Sequence, residues 1–236
     1  STLVSLLATA AQARDLTTLV VDSDESNSGL FRMLGFNEPP IPLMALVGGK
    51  EGIKEKINQP SILSETNITL EQIPDRYINE KNGLKLVSIG KIHKALEGCA
   101  CPMGVLSREF LKKLRLGKDE IAIVDMEAGI EHLGRATAKA VDKLIVVVEP
   151  GRRSIDTAEH IRKLAAEIGL NHIAVVGNKV RGPKDEEFLQ THLDDFEFLG
   201  FLPYDEALIE ADLNGISPFD VDSPSKAQVK AMIEKL

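Results

Sequence analysis

Apolar residues along the chain follow two alternating patterns, one typical of buried strands and one typical of helices with a single buried face. The runs at 144–148 (LIVVV) and 173–176 (IAVV) are continuously apolar, as expected for strands buried on both faces of a parallel sheet. The segment from 1 to 13 instead has apolar residues at helical spacing. On this basis the strands are predicted at Leu16–Asp24, Leu84–Gly90, Glu120–Glu127, Lys143–Pro150, His172–Asn178 and Phe196–Asp205.

Helix-like stretches lie between the predicted strands. This alternation indicates βαβ crossovers and therefore an α/β fold with a doubly wound, mostly parallel sheet. We expect a single domain over residues 1–236, with an irregular, proline-containing insertion at about 36–82. Besides the first helix, the predicted helices are Ser107–Leu114, Glu131–Val141, Ser154–Ile168, Asp185–Leu193 and Ser223–Leu236.

Polar residues follow the predicted strands at the point where each strand ends. In open α/β sheets, ligands bind at the carboxyl ends of the strands. An Asp that closes an apolar strand can hold Mg²⁺ beside a phosphate, and a glycine shortly afterwards lets a backbone N–H approach an anion. The segment VDMEAG (124–129) has both features, so Asp125 and Gly129 are predicted to be a Walker B and switch pair. For any one such Asp, capping of the next helix is the alternative.

Two cysteines, Cys99 and Cys101, stand two positions apart and are followed by Pro102. The proline favours extended backbone at Cys101, and in extended backbone both thiols point the same way. They would then face one metal or one partner surface, and thiolates suit Zn²⁺, Cu⁺ or Ni²⁺. Two chains could complete a four-sulfur site across a twofold axis. A disulfide within the segment and burial as two small hydrophobic residues are the alternatives.

Composition narrows the possible compartments and partners. The net charge of −8 argues against a broad nucleic-acid-binding surface. No apolar run is long enough to span a bilayer, so no membrane partner is expected. Two cysteines in 236 residues cannot form a disulfide framework, which favours a reducing cytoplasm.

Taken together, these segments resemble the deviant-Walker P-loop ATPases, the class that includes MinD, ParA and the nitrogenase iron protein. Within that class the sequence is most similar to the CooC-type nickel-insertion ATPases, which mature carbon monoxide dehydrogenase. The most specific evidence for this resemblance is the combination of EGCAC (97–101) with DMEAGIEHLGR (125–135). The resemblance extends over nearly the whole chain and also rests on the segments STLVSLLA (1–8), VVDSDESNSGL (20–30), VEPGRRSI (148–155), GNKV (177–180) and LGFLPYDEALIEADLNG (199–215).

The resemblance implies roles around the phosphates of a bound nucleotide. Asp24 corresponds to the switch I residue that positions or activates the attacking water, and the alternative is a turn Asp that satisfies backbone N–H groups. Ser1 corresponds to the hydroxyl residue after the phosphate-loop lysine, a Mg²⁺ ligand, and Thr2 follows it at the end of that motif. Asp22 is the alternative to Asp24 as the carboxylate nearer the metal.

The resemblance also implies residues for the adenine. Asn178 presents both a donor and an acceptor, as the edge of adenine requires, and a helix cap or a turn is the alternative role. Pro203 and Asp205, in LPYD, are implied as further parts of the adenine pocket.

The phosphate loop of the class, KGGxGK[ST], is not in the chain, which begins where that motif ends. We therefore expect an N-terminal truncation, with ATPase activity belonging to the complete protein. The expected function is that of a cytoplasmic homodimer that uses ATP/ADP and Mg²⁺ to insert nickel into the carbon monoxide dehydrogenase apoprotein. The C-x-C motif of each chain would bind Ni²⁺ or Zn²⁺.

Two other functions stay open. One is an iron-sulfur carrier or an ATPase like the nitrogenase iron protein, although that protein takes its cysteines from two separate segments. The other is a MinD- or ParA-like spatial organiser that binds membrane or DNA. The C-terminal segment 223–236 is short of basic anchors and the chain is acidic, which disfavours this second function.

Overall fold

The structure is a computed structural model, and it describes residues 1–49, 64–91, 101–127 and 140–236, without the side chain of Cys101. The chain divides into two compact units, Ser1–Ala128 and Gly129–Leu236. Each unit contains its own β-sheet, and the two units are described in turn. The single domain over 1–236 stays a prediction.

The first unit is built on a four-stranded sheet. Its strands are β1 (Thr17–Asp22), β2 (Asn79–Lys81), β3 (Leu84–Ser88) and β4 (Glu120–Asp125). They lie in the order β2-β3-β1-β4, with β1 parallel to β3 and β4 and with β2 antiparallel to β3. Because β1 is central, the residues at its carboxyl end lie between the ends of two parallel neighbours.

The helices of the first unit pack apolar side chains into its core, and two of them overlap the predicted helices Ser1–Ala13 and Ser107–Leu114. They are α1 (Thr2–Gln12), α2 (Leu30–Met33) and α3 (Cys101–Lys113). Leu6 and Leu7 of α1 and Leu106 and Phe110 of α3 are all at most 3% exposed. Full burial of such a side chain contributes about 1.5–3 kcal/mol, so these helices hold the sheet from which the candidate site projects.

Two sequence predictions about the first unit need correction. The first is Cys101, for which an extended conformation was expected, whereas it is part of α3. Proline is tolerated in the first turn of a helix, so Pro102 does not force extended backbone on the residue before it here. The second is the region of about 36–82, which was expected to be an irregular insertion, whereas its described residues include short 3₁₀ helices and the strand β2.

The second unit contains a three-stranded parallel sheet in the order β5-β6-β7. Its strands are β5 (Leu144–Val148), β6 (Ile173–Val180) and β7 (Glu197–Pro203), and its helices are α4 (Arg152–Glu167), α5 (Pro183–His192), α6 (Glu206–Leu213) and α7 (Pro224–Ile233). Burial on both faces is confirmed for the central strand, where Ala174, Val175 and Val176 are at most 1% exposed. It is wrong for β5, which lies at the edge of this sheet and leaves Val147 46% exposed.

Candidate functional site

The carboxyl ends of β1, β3 and β4 meet in the first unit. Asp22 is paired in register with Ser88 on one side and with Asp125 on the other. The chain continues this alignment past the strand, since the Ser23 amide donates to the Asp125 carbonyl at 2.9 Å. The side chains of Asp22 and Asp125 are therefore neighbours at one edge of the sheet, and both residues are only 5% exposed. This is the edge at which sequence analysis places the ligand.

Ser1 and Asp125, predicted to share a metal, are in direct contact. The Ser1 hydroxyl donates to Asp125 Oδ2 at 2.6 Å, and Asn27 Nδ2 donates to the same Ser1 oxygen at 3.1 Å. Thr2, the next residue, is the first residue of α1. The arrangement places a carboxylate and a hydroxyl oxygen side by side, and oxygen ligands of this kind are the ones that Mg²⁺ prefers.

Asp24 is held in a turn that begins just after β1. Its Oδ1 accepts hydrogen bonds from the Ser26 amide at 2.8 Å, the Ser26 hydroxyl at 2.7 Å and the Asn27 amide at 3.0 Å. Burial alone would raise the pKa of Asp24, but these hydrogen bonds and the nearby Lys91 lower it below the ordinary value. Asp24 is thus ionised at neutral pH and fixed by its own loop, which is the geometry of the turn Asp alternative.

Lys91 belongs to this cluster, and sequence analysis missed it. Its ammonium donates to Asp22 Oδ1 at 2.7 Å and to the main-chain carbonyls of Asp24 and Asn27. Burial raises the pKa of Asp22 to about 6, and the ion pair with Lys91 opposes that rise. The available signal was a single cation that follows an apolar strand, in a chain whose other strand ends are largely acidic or polar.

In the second unit, Asn178 lies where the pairing of β6 with β7 is irregular. Gly177 pairs with Phe201 and Val180 pairs with Pro203, with a register shift between the two pairs. Asn178 and Lys179 occupy that shift, and Lys179 has φ 55°, a left-handed conformation that is uncommon for a residue other than glycine. Irregularities of this type re-aim side chains at the ends of strands. Asn178 and Pro203 therefore both lie at the carboxyl end of one sheet, and Pro203 pairs with Val180 two positions after Asn178.

Asp205 connects the beginnings of two helices. It is the N-cap of α6, where it accepts from the Leu208 amide at 3.4 Å. Its other oxygen accepts from the hydroxyls of Ser223 and Ser225 at 2.6 and 2.7 Å. Burial alone would raise the pKa of Asp205, but the hydrogen bonds from Ser223 and Ser225 lower it below the ordinary value. The contacts of this carboxylate are thus structural, and its contact with adenine stays a prediction.

Several predicted site residues lie outside the described residues. They are Gly129 and Cys99, together with the side chain of Cys101. Among the residues that the structure describes, no three His, Cys, Asp or Glu side chains come together as a candidate metal site. In the same part of the chain, no helix is both long and apolar enough to cross a membrane.

Comparison with known proteins shows which family the chain matches. The model of the CobQ/CobB/MinD/ParA nucleotide binding domain matches residues 1–219. The carbon monoxide dehydrogenase accessory protein CooC of Rhodospirillum rubrum is 32% identical over 240 residues, which cover 100% of this chain and 91% of that protein. An ATP-binding protein of Methanocaldococcus jannaschii is 36% identical over 219 residues, covering 91% of this chain and 87% of the relative.

Among solved structures, the septum site-determining protein MinD of Pyrococcus horikoshii, complexed with Mg-ADP, superimposes with a TM-score of 0.72. It is 18% identical, and the match covers 99% of this chain and 88% of that one. The likeness confirms the predicted α/β fold of the MinD and ParA type. The resemblance to the CooC-type proteins and the assignment as an ATPase are confirmed by the family and the relatives. The chain therefore belongs to the CobQ/CobB/MinD/ParA family of nucleotide-binding domains, as an ATPase that is similar in sequence to CooC over its whole length.

Proposed function

We propose that the protein is an ATP-dependent nickel-insertion factor for carbon monoxide dehydrogenase. The observation that carries the proposal is the contact of Ser1 with Asp125 at the carboxyl ends of parallel strands, in a chain similar over its whole length to a carbon monoxide dehydrogenase accessory protein. The first part supports a site for a magnesium-bound nucleotide. The second supports the client enzyme.

The nucleotide site is proposed to hold Mg²⁺ through Ser1 and Asp125. Both side chains offer oxygen ligands and lie in direct contact, so one cation could reach both of them while it keeps several of its waters. Bound there, Mg²⁺ would neutralise charge on the phosphates. Gly129 is proposed to bring its backbone N–H to the terminal phosphate, because glycine permits close approach to an anion.

Hydrolysis is proposed to depend on Asp24. The hydrogen bonds from Ser26 and Asn27 keep this carboxylate ionised and oriented, so it can accept a hydrogen bond from the attacking water. Among the described residues, the bonds from the turn all end at Oδ1. The turn role and the catalytic role are therefore compatible in one residue.

The resemblance to the family also supports residues for the base. Asn178, which lies at the register shift, is proposed to pair with the edge of adenine, and Pro203 to pack against its face. Asp205 is proposed to complete the pocket, with its carboxylate holding the segment after β7 in place through Ser223 and Ser225.

The cargo is proposed to be nickel, with zinc as a second metal that the same ligands accept. Cys99 and Cys101 supply two thiolates, and the same pair from a second chain would complete four-coordination in a homodimer. Differences in nucleotide affinity between the two states of the dimer would then drive loading and release.

The proposal is tested on the full-length protein by measuring ATP binding with and without Mg²⁺, and nickel content after equilibrium dialysis. Asp125→Asn should weaken magnesium-dependent ATP binding by at least ~10-fold, since a charged ligand is lost. Asp119→Asn is the matched control, because Asp119 is exposed and directly precedes the same strand. Equal binding by the wild type and Asp125→Asn would refute the nucleotide site. A protein that takes up no nickel, or that purifies with an iron-sulfur chromophore, would refute nickel insertion.

A further inference from the structure

Lys91 is bonded to one loop in three places. We define the Asp24 loop as residues 22–27, which follow β1 and carry the proposed hydrolytic carboxylate. The Lys91 ammonium donates to Asp22 Oδ1 and to the carbonyls of Asp24 and Asn27, so all three of its hydrogens are directed at this loop. The side chain is only 12% exposed and that of Asp22 only 8%. This ion pair is therefore largely removed from solvent, unlike the surface pairs that contribute little.

Two further hydrogen bonds hold the Asp24 loop to α3 and to the segment that follows β3. The hydroxyl oxygens of Ser23 and of Ser107 on α3 are 2.8 Å apart and buried. The Ile89 amide donates to the Asp22 carbonyl at 2.9 Å, which extends the β1–β3 pairing up to the residues just before Lys91. Lys91 thus projects from a fixed strand end onto the part of the loop between Asp24 and Asn27.

The two carbonyls that accept from Lys91 flank the turn that fixes the Asp24 carboxylate. Asp24 and Asn27 are the first and last residues of this turn. If the ammonium were removed, the turn would be held by its own hydrogen bonds from the Ser26 and Asn27 amides to Asp24. Loss of the cation would also leave Asp22 buried beside Asp125 with no partner among its described contacts. The loop would then lose the orientation on which in-line attack by water depends.

From this geometry we propose that Lys91 is a positioning residue for ATP hydrolysis, which acts by fixing the loop that carries Asp24. The proposal rests on the proposed role of Asp24. It assigns Lys91 no contact with the nucleotide or with the reacting atoms.

The test compares steady-state hydrolysis by full-length Lys91→Met, which keeps the length of the side chain and removes the ammonium, with that of the wild type. We expect kcat to fall at least ~10-fold while KM for ATP changes by no more than ~2-fold, because orientation is lost and binding is not. Lys91→Arg keeps a cation with several donors and should recover most of the lost kcat. The matched control is Lys85→Met, a lysine on β3 whose ion-pair partner Glu80 is half exposed and lies outside the Asp24 loop.

A double-mutant cycle with Asp24→Asn separates this proposal from the one on which it rests. If Lys91 acts through Asp24, the double variant should be no slower than Asp24→Asn alone. A multiplied defect would overturn the inference, as would a normal kcat in Lys91→Met beside a slow Asp24→Asn. A normal kcat in Asp24→Asn would refute the catalytic role of Asp24 itself. If Lys91→Met fails to fold, Lys91→Gln, which is uncharged but still a donor, is used in the same cycle.

Discussion

Asp24 has an observed role in its turn and a proposed role in hydrolysis, and one substitution can separate the two. In Asp24→Asn the side-chain oxygen can still accept the bonds from Ser26 and Asn27, so the turn should persist. The negative charge that is proposed to orient the attacking water, and to accept a hydrogen bond from it, is lost. We expect hydrolysis to fall by about 10²-fold, while ADP affinity changes by no more than ~2-fold.

Steady-state turnover and titration with a fluorescent nucleotide measure these two quantities. Asp75→Asn, at an exposed position in a 3₁₀ helix, is the control for a carboxylate lost elsewhere in the first unit. Unchanged turnover in Asp24→Asn would leave this residue with its turn role alone.

The polar residues at the strand ends could be identified from the sequence, because the end of a strand is marked by the residues next to it. An Asp after an apolar run can be found in the sequence, and Asp125 and Ser1 indeed meet at one strand end. The partners of Asp205 could not be found in this way. Ser223 and Ser225 lie 18 and 20 positions away and are brought to it only by the packing of α7.

At the scale of elements, β6 and β7 approach so closely that one position must be glycine. A Cβ on Gly177 would lie 2.4 Å from Phe201 Cδ1 and 3.0 Å from Leu189 Cδ1. Phe201 would have to move, and with it the strand next to Asn178. We expect Gly177→Ala to lower the free energy of unfolding by about 2 kcal/mol, as overpacking does in other cores.

Denaturation by urea measures this loss. The control is Gly151→Ala, because a Cβ at Gly151 meets nothing within 4 Å and its φ of 175° is ordinary extended backbone. A Gly177→Ala protein as stable as the control would show that the two strands can separate without cost.

The junction of α6 and α7 should give the second unit a distinct dependence on acid. The pKa of Asp205 is lower in the folded protein than its unfolded value of 3.8, so its contribution to stability is complete above that pH. This contribution is lost as the pH falls below 3.8 and through the lower folded pKa. We expect Asp205→Asn to cost about 2 kcal/mol at pH 7, because charge-assisted bonds to both serines are weakened.

The cost of Asp205→Asn should shrink in strong acid, where the wild-type carboxylate also becomes neutral. Urea unfolding at pH 7 and at pH 3 measures the change. Asp212→Asn, exposed in the last turn of α6, is the control. A cost that did not vary with pH would mean that the charge of Asp205 is not what holds the two helices together.

The strand β2 was not predicted from the sequence, although a short hairpin signal for it is present. Asn82 and Gly83 join β2 to β3, and both have positive φ, as a two-residue hairpin turn requires. An Asn-Gly pair before an apolar run is a strong hairpin signal, so β2 was predictable in principle. The helical conformation of Cys101 was harder to predict than β2. Proline usually favours extended backbone at the residue before it, but it is also accepted in the first turn of a helix.

At the scale of the whole molecule, the order of strands and helices was predictable because buried parallel strands leave continuous apolar runs. The six strands expected from the sequence are all present, and the solved MinD structure shares their fold. Exposure of Val147 was not predictable, since an edge strand and a central strand can have the same apolar sequence. Cys99 and Gly129 lie outside the described residues, so their roles stay predictions.

If two chains share the proposed metal site, metal binding and dimerisation are thermodynamically linked. One chain offers two thiolates, Cys99 and Cys101, whereas Zn²⁺ and Ni²⁺ in sulfur sites take four ligands. The metal should therefore bind at about one per dimer, and because it binds only the dimer it should strengthen dimerisation by mass action. The ligands must be thiolates, so both metal binding and the metal-dependent gain in dimer should weaken as the pH falls.

Sedimentation velocity of the full-length protein, with and without Ni²⁺ and at several pH values, measures this linkage together with metal analysis. Cys99→Ser and Cys101→Ser should each abolish metal uptake and the metal-dependent dimer, yet leave ATP affinity within ~2-fold, since neither cysteine is proposed to contact the nucleotide. Ser64→Ala, an exposed substitution in the first unit, is the control. If the double Cys→Ser protein still bound one nickel or zinc per dimer with wild-type affinity, the metal would have other ligands and the C-x-C assignment would be wrong. If the wild type bound nickel as a monomer at one metal per chain, the shared site would be excluded, because two sulfurs of a single chain would then suffice.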